Sequence, residues 1–510
     1  MHILLLYLCV PIFIGCGKAE VSESYKLADI HVDKQSLILE VGEDERLLAS
    51  AIPVVAHQPA FLWSSADESI ATVSNQGLVE ALSPGETVIT VSSSEISTTV
   101  PVKVNPHVPS AKTYSDTIVM VTLNGADCPF ADHADYGVYI PTRTESLHGV
   151  LILQHGCGME QFGITRPYDL QYQAFARKWK LAVIETALYG TCGLWRDPAS
   201  GTANALFKVL NNIGDQTGHP ELNTIPWLLW GHSAGGYWTL AMLKAYPERI
   251  MAAVCYSAAW DPQWDYPEAT AKIPVLLRHA GANDGDASSL CWATAVHSFL
   301  KLREMDAPVS IAYNAGQNHN FSYLRYMAIP FYEAVMKQRM PEEENCSVMR
   351  DIDRSQAWLS DTLSLQICKE SDYFGNKSGL CLFPDETTAK NWKEFVSTGK
   401  VADKTPPPAP FNVKVKWNNN ALEVTWEADA DIESGIQRFN IFKNGILVGK
   451  LPETDVFQKF DRNGDNTVPV DVPEMKFRIA GAENEKTTIS VQTVNHFNLV
   501  SEKAEVIYNK

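Results

Sequence analysis

The sequence predicts a central α/β domain, with a mostly parallel sheet covered by helices on both faces, flanked by two small all-β sandwich domains. Over residues 113–402, near-continuous apolar runs alternate with helical patterns, which is typical of parallel strands buried on both faces. Residues 25–104 and 403–510 instead alternate apolar and polar positions in short runs separated by turn residues. That second pattern indicates small antiparallel sheets.

The composition is that of a multidomain globular protein. The chain has 510 residues, more than one ordinary domain needs, and 45% of them are hydrophobic. Its formal net charge of −18 argues against a nucleic-acid partner, because such a partner requires a basic surface. We expect no cofactor, and the sequence does not indicate an oligomeric state.

The first 20 residues, MHILLLYLCVPIFIGCGKAE, predict a signal peptide. The apolar run from Ile3 to Ile14 is too short to span a bilayer and is typical of a signal-peptide core. Gly15-Cys16 at its end resembles the cleavage box of bacterial lipoproteins, which implies a lipid anchor at Cys16. We therefore expect an exported protein, either a cell-surface or outer-membrane lipoprotein or a secreted one, that meets the membrane only through that anchor.

The cysteines favour disulfides over a metal site. Eight of them follow the leader, and their spacings lack the close pairs of a zinc site. In an exported protein such cysteines can pair. Cys368 and Cys381 flank a loop containing Gly and Ser, and we predict that bridge first.

The N-terminal segment carries the runs WSSAD (63–67), ATV (71–73), GLV (77–79) and PG (84–85). With these runs it resembles the bacterial Ig-like family of surface proteins, which implies a β-sandwich. The C-terminal segment begins with KTPPPAP (404–410), which predicts a stiff, extended linker. Through Pro410, Trp426 and the closing VQTVNHFNLVS, the rest of this segment resembles a fibronectin type III module.

The central region alternates predicted strands and helices. The strands are GVLILQHG, KLAVIETAL, PWLLWGHS, MAAVCYSA, IPVLLRHAG and VSIAYNAG, and helices are expected near residues 168–179, 202–213, 234–245, 289–304 and 323–337. In open parallel sheets, active sites lie outside the carboxyl ends of the strands. The loops that follow these strands are therefore the places to look for chemistry.

One such loop contains Gly-His-Ser-Ala-Gly, residues 231–235, which matches the pattern G-x-S-x-G. It follows the strand PWLLW and opens a helix, the context that marks a nucleophile elbow rather than an ordinary glycine turn. We predict that Ser233 is a nucleophile. A serine hydroxyl needs a base, and in this architecture the acid and the histidine follow it in that order.

The loops after the next strands supply candidates for both partners. Asp284 fits the acid position, with Asp286 as its nearest rival and Asp261 as a poorer one. His319, in QNHNFSY before the last helix, is the expected general base. Backbone N–H groups must also bind the oxyanion.

One oxyanion donor is expected from Ala234, and the other from QHGCG, at Cys157 or next at Gly158. Cys157 could alternatively be a thiol nucleophile, which an exported context disfavours, or half of a disulfide. The substrate-binding candidates are aromatic residues near the expected cleft, namely Trp260, Trp264 and Phe321. No metal ligands are predicted at this site.

These motifs resemble the α/β-hydrolase superfamily, and QHGCG with GHSAGG is most similar to secreted polyhydroxybutyrate depolymerases and feruloyl or acetylxylan esterases. The resemblance implies an exported serine esterase acting on a polymeric or bulky ester. The short segment between MAAVCYSA and IPVLLRHAG excludes a long lid and favours an open site. The alternatives are a serine peptidase on the same triad and a non-catalytic surface-binding protein with a degenerate hydrolase domain.

Overall fold

The structure of the protein is a computed structural model, and the chain forms two compact units, residues 1–107 and 108–510. The predicted leader with Cys16 lies outside the described residues. No helix in the part of the chain that is described is both long and apolar enough to cross a bilayer. The described residues are 27–40, 44–53, 60–75, 77–105, 117–141, 144–260, 262, 264–284, 288–314, 316–319, 324–341, 348–454, 456–457, 474–480 and 486–509.

The first unit is a small all-β domain. Its strands are β1 (Asp29–Val32), β2 (Leu37–Glu40), β3 (Asp44–Arg46), β4 (Ala49–Ile52), β5 (Leu62–Ser65), β6 (Ala71–Val73), β7 (Leu78–Ala81), β8 (Gly85–Ser93) and β9 (Ile96–Asn105). They form sheets in the orders β1-β4, β2-β9-β8-β5 and β3-β7-β6. Alternate residues of β8 and β9, among them Ile89 and Val100, are buried in one core, as the alternating sequence pattern predicts.

An eight-stranded sheet forms the centre of the second unit. Its strands are β10 (Thr117–Asn124), β11 (His133–Ile140), β12 (Gly149–Gln154), β13 (Leu181–Tyr189), β14 (Trp227–His232), β15 (Ile250–Tyr256), β16 (Val275–His279) and β17 (Val309–Tyr313). The strand order is β10-β11-β13-β12-β14-β15-β16-β17. Only β11 runs against the others, because it is antiparallel to both of its neighbours while β12 to β17 pair in parallel with the strands beside them.

Six helices connect or follow these strands: α1 (Leu170–Trp179), α2 (Cys192–Trp195), α3 (Thr202–Thr217), α4 (Ala234–Ala245), α5 (Ser288–Glu304) and α6 (Arg325–Arg339). Every residue of β12, β14, β15 and β16 is buried, so both faces of the central strands are covered. The predicted α/β-hydrolase fold is confirmed. Strands β10 and β11, at the edge of the sheet, were not predicted from the sequence.

A small subdomain that the sequence analysis did not predict follows α6. It contains strands β18 (Trp358–Ser360), β19 (Ile367–Lys369) and β20 (Cys381–Phe383), then helix α7 (Glu386–Thr398). Its sheet order is β19-β18-β20. Trp392 of α7 donates an indole hydrogen bond to the carbonyl of Ile311 on β17, 2.9 Å away, so the subdomain is joined to the edge of the central sheet.

The predicted Cys368–Cys381 bridge is wrong, because both cysteines are free. Cys368 lies on β19 and Cys381 on β20, and β18 runs between these two strands. Two strand spacings separate the pair by about 9–10 Å, beyond the roughly 7 Å between Cα atoms that a disulfide can bridge.

The C-terminal segment is a β-sandwich that packs against the central domain. Its strands are β21 (Phe411–Asn418), β22 (Ala421–Glu427), β23 (Arg438–Lys443), β24 (Ile446–Leu451), β25 (Lys476–Ala480), β26 (Thr487–Val494) and β27 (Ala504–Tyr508). They form sheets β21-β22-β25 and β24-β23-β26-β27. Leu170 and Ala174 of α1 belong to its hydrophobic core, and Gln171 donates a hydrogen bond to the carbonyl of Ile432 at 2.7 Å. The likeness to fibronectin type III remains a prediction.

Candidate active site

Ser233 occupies a strained turn between β14 and α4. Its backbone angles are φ 54° and ψ −113°, a conformation that L-residues rarely adopt and that is often found at functional sites. The glycines on either side permit it. A Cβ on Gly231 would lie 2.0 Å from the carbonyl oxygen of Gly235, and a Cβ on Gly235 would lie 2.4 Å from that of Gln154. Only glycine fits at these two positions.

Neighbouring elements hold the strained turn in place. The Ser233 N–H donates to the carbonyl of Tyr256 at the end of β15, at 2.9 Å. The Ser233 carbonyl accepts from the N–H of Tyr237, one turn along α4, at 3.1 Å, and from the N–H of Ala259 at 3.2 Å. The loop that follows β15 is therefore fastened directly to the serine.

Asp284 lies just after β16 and is buried. Its Oδ2 accepts from the Ala280 N–H at 2.9 Å, and its Oδ1 accepts from the Ser257 hydroxyl at 3.0 Å. Burial alone would raise the pKa of this carboxyl, but the adjacent His319 imidazole, the Ala280 N–H and the nearby charge of Arg278 outweigh burial and lower the pKa. The two rival acids, Asp286 and Asp261, lie outside the described residues.

Arg278, on β16, is fully buried near this carboxylate and donates several hydrogen bonds. Its Nη1 donates to the Ser257 hydroxyl at 3.0 Å and to the Asn318 carbonyl at 2.9 Å, while Nη2 donates to Gln317 Oε1 at 2.6 Å. The same Nη1 lies 3.8 Å from Asp284 Oδ1. Arg278 thus connects the acid loop to the loop that carries His319.

The His319 imidazole lies beside the Asp284 carboxylate. Its Nδ1 is 3.6 Å from Asp284 Oδ1, and the imidazole is 30% exposed. His232, the residue before Ser233, fixes the backbone at His319, because its Nε2 donates to the His319 carbonyl at 2.8 Å. The rings of His232 and His319 have centroids 4.9 Å apart.

The structure brings Asp284 and His319 together and links His319 to the serine turn through His232. Among the described contacts, no hydrogen bond joins the Ser233 hydroxyl to His319. Catalytic hydrogen bonds of this type are often long before substrate binds and shorten in the reacting complex. The link from serine to base therefore remains a prediction.

The loop after β12 lies directly against Ser233. A Cβ built on Gly156 would lie 3.1 Å from the Ser233 Cβ. His155 orients this loop, because its Nδ1–H donates to the Gly156 carbonyl at 2.6 Å while its Nε2 accepts from the Leu188 N–H at 2.9 Å. Burial lowers the pKa of His155 to about 4, so the ring is neutral at pH 7.

The His155 contact also sets the direction of the Cys157 N–H. In a planar trans peptide the C=O and N–H point in opposite directions, so the Cys157 N–H points away from His155. Within the described residues, neither this N–H nor that of Ala234 donates a hydrogen bond to the protein. The role of these two N–H groups as oxyanion donors remains a prediction.

Cys157 is not a free thiol. It forms a disulfide with Cys192, with Cα atoms 5.4 Å apart, which excludes the alternative of a thiol nucleophile at this position. Cys192 begins the short helix α2, whose C-terminal flank is Arg196. The bridge joins the loop after β12 to the loop that carries α2.

The predicted aromatic residues Trp260 and Trp264 lie in the loop after β15. The ring of Trp264 contacts the ring of Tyr237 edge-on, with centroids 5.2 Å apart, and the ring of Trp260 does so with centroids 6.5 Å apart. Because Tyr237 is one turn after Ser233, these two indoles lie on the side of the site formed by α4. Phe321 lies outside the described residues.

Sequence reasoning missed the supporting residues Arg278, Ser257, Gln317 and His232. Arg278 left one signal, since it is a single charge within the apolar strand run IPVLLRHAG. A fully buried arginine requires partners for its donors. His232 and Gln317 stand in motif loops whose local sequence does not distinguish a tether from an ordinary turn residue.

Comparison with known families and proteins identifies the first domain. Residues 27–104 match the bacterial Ig-like domain family, group 2, which confirms the resemblance of this segment. No curated protein matches the chain.

Several solved structures are similar to parts of the chain. The poly(3-hydroxybutyrate) depolymerase LpqC of Bordetella parapertussis is 15% identical over 45% of this chain and 92% of its own, with a TM-score of 0.35. A thermostable esterase is 14% identical over 50% of this chain and 81% of its own, with a TM-score of 0.30. A ferulic acid esterase is 12% identical over 44% of this chain and 96% of its own, with a TM-score of 0.30. At these values the similarity does not identify an activity.

Proposed function

We propose that the protein is an exported serine hydrolase that cleaves carboxylic esters through an acyl-enzyme on Ser233. The main support is the geometry around one turn. Ser233 stands in a strained conformation at the carboxyl end of a central strand, and the Asp284–His319 pair lies in the neighbouring loops. Among the described residues, the backbone N–H groups of Ala234 and Cys157 have no protein acceptor.

Each residue has a defined part in the proposed reaction. His319 takes the proton of Ser233 as its oxygen attacks the ester carbonyl, and Asp284 holds the imidazole and stabilises its positive charge. The N–H groups of Ala234 and Cys157 bind the oxyanion. His319 then protonates the leaving alcohol, and water activated by the same histidine releases the acid.

The substrate in this proposal is a polymeric or otherwise bulky ester. Residues 257–274 alone link β15 to β16, and a connection of that length leaves no room for a large lid between these strands. An open site suits an extended ligand. Export is supported by the apolar leader in the sequence, and the Ig-like domain is of a type found in surface proteins.

The test is hydrolysis of short-chain 4-nitrophenyl esters by the mature protein and by Ser233→Ala. We expect Ser233→Ala to lower kcat by about 10³-fold or more, because it removes the nucleophile. Ser397→Ala, an exposed serine on α7, is the matched control and should retain full activity. Equal rates for all three proteins would contradict the proposal, as would turnover of peptides alone.

A further inference from the structure

A cation packs against Tyr237, one helical turn after the proposed nucleophile, on a protein whose overall charge is −18. The guanidinium carbon of Arg196 lies 4.1 Å from the ring centroid of Trp260 and 4.8 Å from that of Tyr237. Arg196 is half-buried. Its charge thus lies in the corner formed by two aromatic rings that stand at 83° to each other, rather than extended into solvent.

Three connections place this group at the site. Tyr237 and the loop of Trp260 are both tied to the Ser233 carbonyl, through the Tyr237 and Ala259 N–H groups. The Arg196 N–H donates to the Cys192 carbonyl at 3.2 Å. Cys192 is in turn bonded to Cys157, the candidate oxyanion donor. The serine turn, the oxyanion loop and Arg196 therefore form one connected structure.

The side-chain donors of Arg196 have no acceptor among the described residues. Because the two rings stand at 83° to each other, the guanidinium can stack flat on only one of them. Stacking of this kind leaves the N–H groups at the edge of the guanidinium. Among the described residues, no carboxylate pairs with Arg196 and no acceptor hydrogen-bonds to it. Lys301, near Trp264, differs in this respect, because it donates to the Trp264 carbonyl at 2.6 Å and lies 3.7 Å from Asp265.

We infer that Arg196 is a specificity residue that binds a carboxylate of the substrate, so that the preferred esters carry a free carboxylate near the scissile bond. This inference rests on the proposed esterase function and names its substrate class. A planar guanidinium fixed by two rings matches a carboxylate with two parallel hydrogen bonds. Its fixed position also lowers the entropy that binding would cost.

The experiment compares esters that differ only in the carboxylate. On the acyl side, mono-4-nitrophenyl glutarate is compared with 4-nitrophenyl valerate. On the alcohol side, 4-acetoxybenzoate is compared with phenyl acetate. For the wild type we expect a higher kcat/KM for the carboxylate member of at least one pair, and the pair that responds tells which side of the ester faces Arg196.

In Arg196→Gln, the ratio of kcat/KM for the charged and neutral members should fall by about 10- to 100-fold, the usual range for a lost charge-assisted hydrogen bond. Arg196→Lys should keep part of the preference. Lys244→Gln is the matched control, since Lys244 is an exposed cation 5.4 Å from the ring of Trp264. It should change the ratio less than about twofold, because exposed charges are screened by salt.

Distinct results would overturn the inference. If Arg196→Gln lowers both members of a pair by the same factor, Arg196 only packs the aromatic residues. If Lys244→Gln lowers the ratio as much as Arg196→Gln does, the preference is a general charge effect. A wild type that hydrolyses neutral esters without preference overturns this inference alone, whereas a wild type that hydrolyses no ester overturns the proposed function as well.

Discussion

Two buried carboxylates in this protein, Asp284 in the candidate active site and Asp431 in the C-terminal sandwich, shift their pKa values in opposite directions. Both side chains are almost fully buried, and burial by itself raises the pKa of any carboxyl. The pKa of Asp284 is nevertheless lowered, whereas that of Asp431 is raised to about 8. Their partners account for the difference.

Asp284 faces a cation and several donors, as described above. Asp431 faces other acids. Burial is the main cause of its raised pKa, and Glu433 and the charge of Asp403 add to it, while Asn495 opposes it. The Asn495 amide donates to Asp403 Oδ2 at 2.8 Å and to Asp431 Oδ2 at 2.9 Å. In the described part of the chain, no lysine or arginine forms an ion pair with Asp403 or Asp431.

The comparison shows that the same residue type serves two purposes. An ionised carboxylate is needed beside a catalytic histidine, because it must stabilise the imidazolium. In the sandwich, the Asn495 amide joins Asp403 to Asp431 in the loop before β23, and the raised pKa of Asp431 favours its neutral form. The charge state of a buried carboxyl therefore follows from the groups placed around it.

The largest expected effect comes from making one substitution at both positions. Asp284→Asn should lower kcat on a 4-nitrophenyl ester by about 10³- to 10⁴-fold, because the neutral amide no longer stabilises the imidazolium or holds its tautomer. Asp431→Asn should leave kcat within about twofold, because Asp431 lies in the C-terminal sandwich and changes at distant sites have nearly independent effects. Steady-state kinetics at pH 7 measures both, and circular dichroism confirms folding.

Equal losses of kcat in the two variants would contradict the comparison, because they would show that both substitutions act by destabilising the fold. A full rate in Asp284→Asn would instead indicate that Asp286, the rival acid, supports His319.

The next largest effect concerns Arg278, the cation that is present near Asp284 and has no counterpart near Asp431 among the described residues. Arg278→Met should destabilise the protein by about 3–5 kcal/mol, because it leaves Asp284 charged and buried without its cation. The double variant Arg278→Met/Asp284→Asn should recover part of that loss, since the unpaired charge is then absent. Chemical denaturation of the four proteins in this cycle provides the measurement. Free energies that add within about 0.5 kcal/mol would show that the two residues are not coupled.

The sequence predicts the parts of this site that are encoded locally. The elbow at Ser233 depends on Gly231 and Gly235, which are two residues away, and the order of strands places the Asp284 and His319 loops at the same edge of the sheet. Arg278 escaped prediction because its partner Gln317 is 39 residues away, and the contact depends on how two loops fold. The same reason hides the pairing of Cys157 with Cys192, 35 residues apart.

The subdomain after α6 was missed for a different reason. Its strands β18, β19 and β20 contain three residues each, too few for an alternating pattern to emerge from the sequence. Helix α7 is longer, with Asp385 capping it through the Thr388 N–H at 2.7 Å. An N-cap signal of this type is visible in the sequence only once a helix is expected there.

The smallest expected effect is the pH dependence that Asp431 gives to stability. Its folded pKa of about 8 lies above its ordinary value of 3.8, so between these values the folded state holds a proton that the unfolded chain releases. Stability should therefore fall as pH rises from about 4 to 8, because the unfolded state binds fewer protons throughout that window. Asp284, with its lowered pKa, contributes in the opposite sense, and only below its ordinary pKa.

Asp431→Asn removes the titrating group and should flatten this slope. The measurement is the melting temperature of the wild type and the variant at pH 5 and pH 6, both inside this window. We expect the drop between these pH values to be smaller in Asp431→Asn by roughly 3 °C, because one pH unit inside the window changes the free energy of unfolding by about 1.4 kcal/mol. The slope is the informative quantity, because the amide loses one of the carboxyl's two acceptor atoms and changes the stability at every pH by a similar amount. If the slope is the same in both proteins, Asp431 is ionised in the folded state, and the sandwich must then hold its charge by some group other than the acids and the amide that surround it.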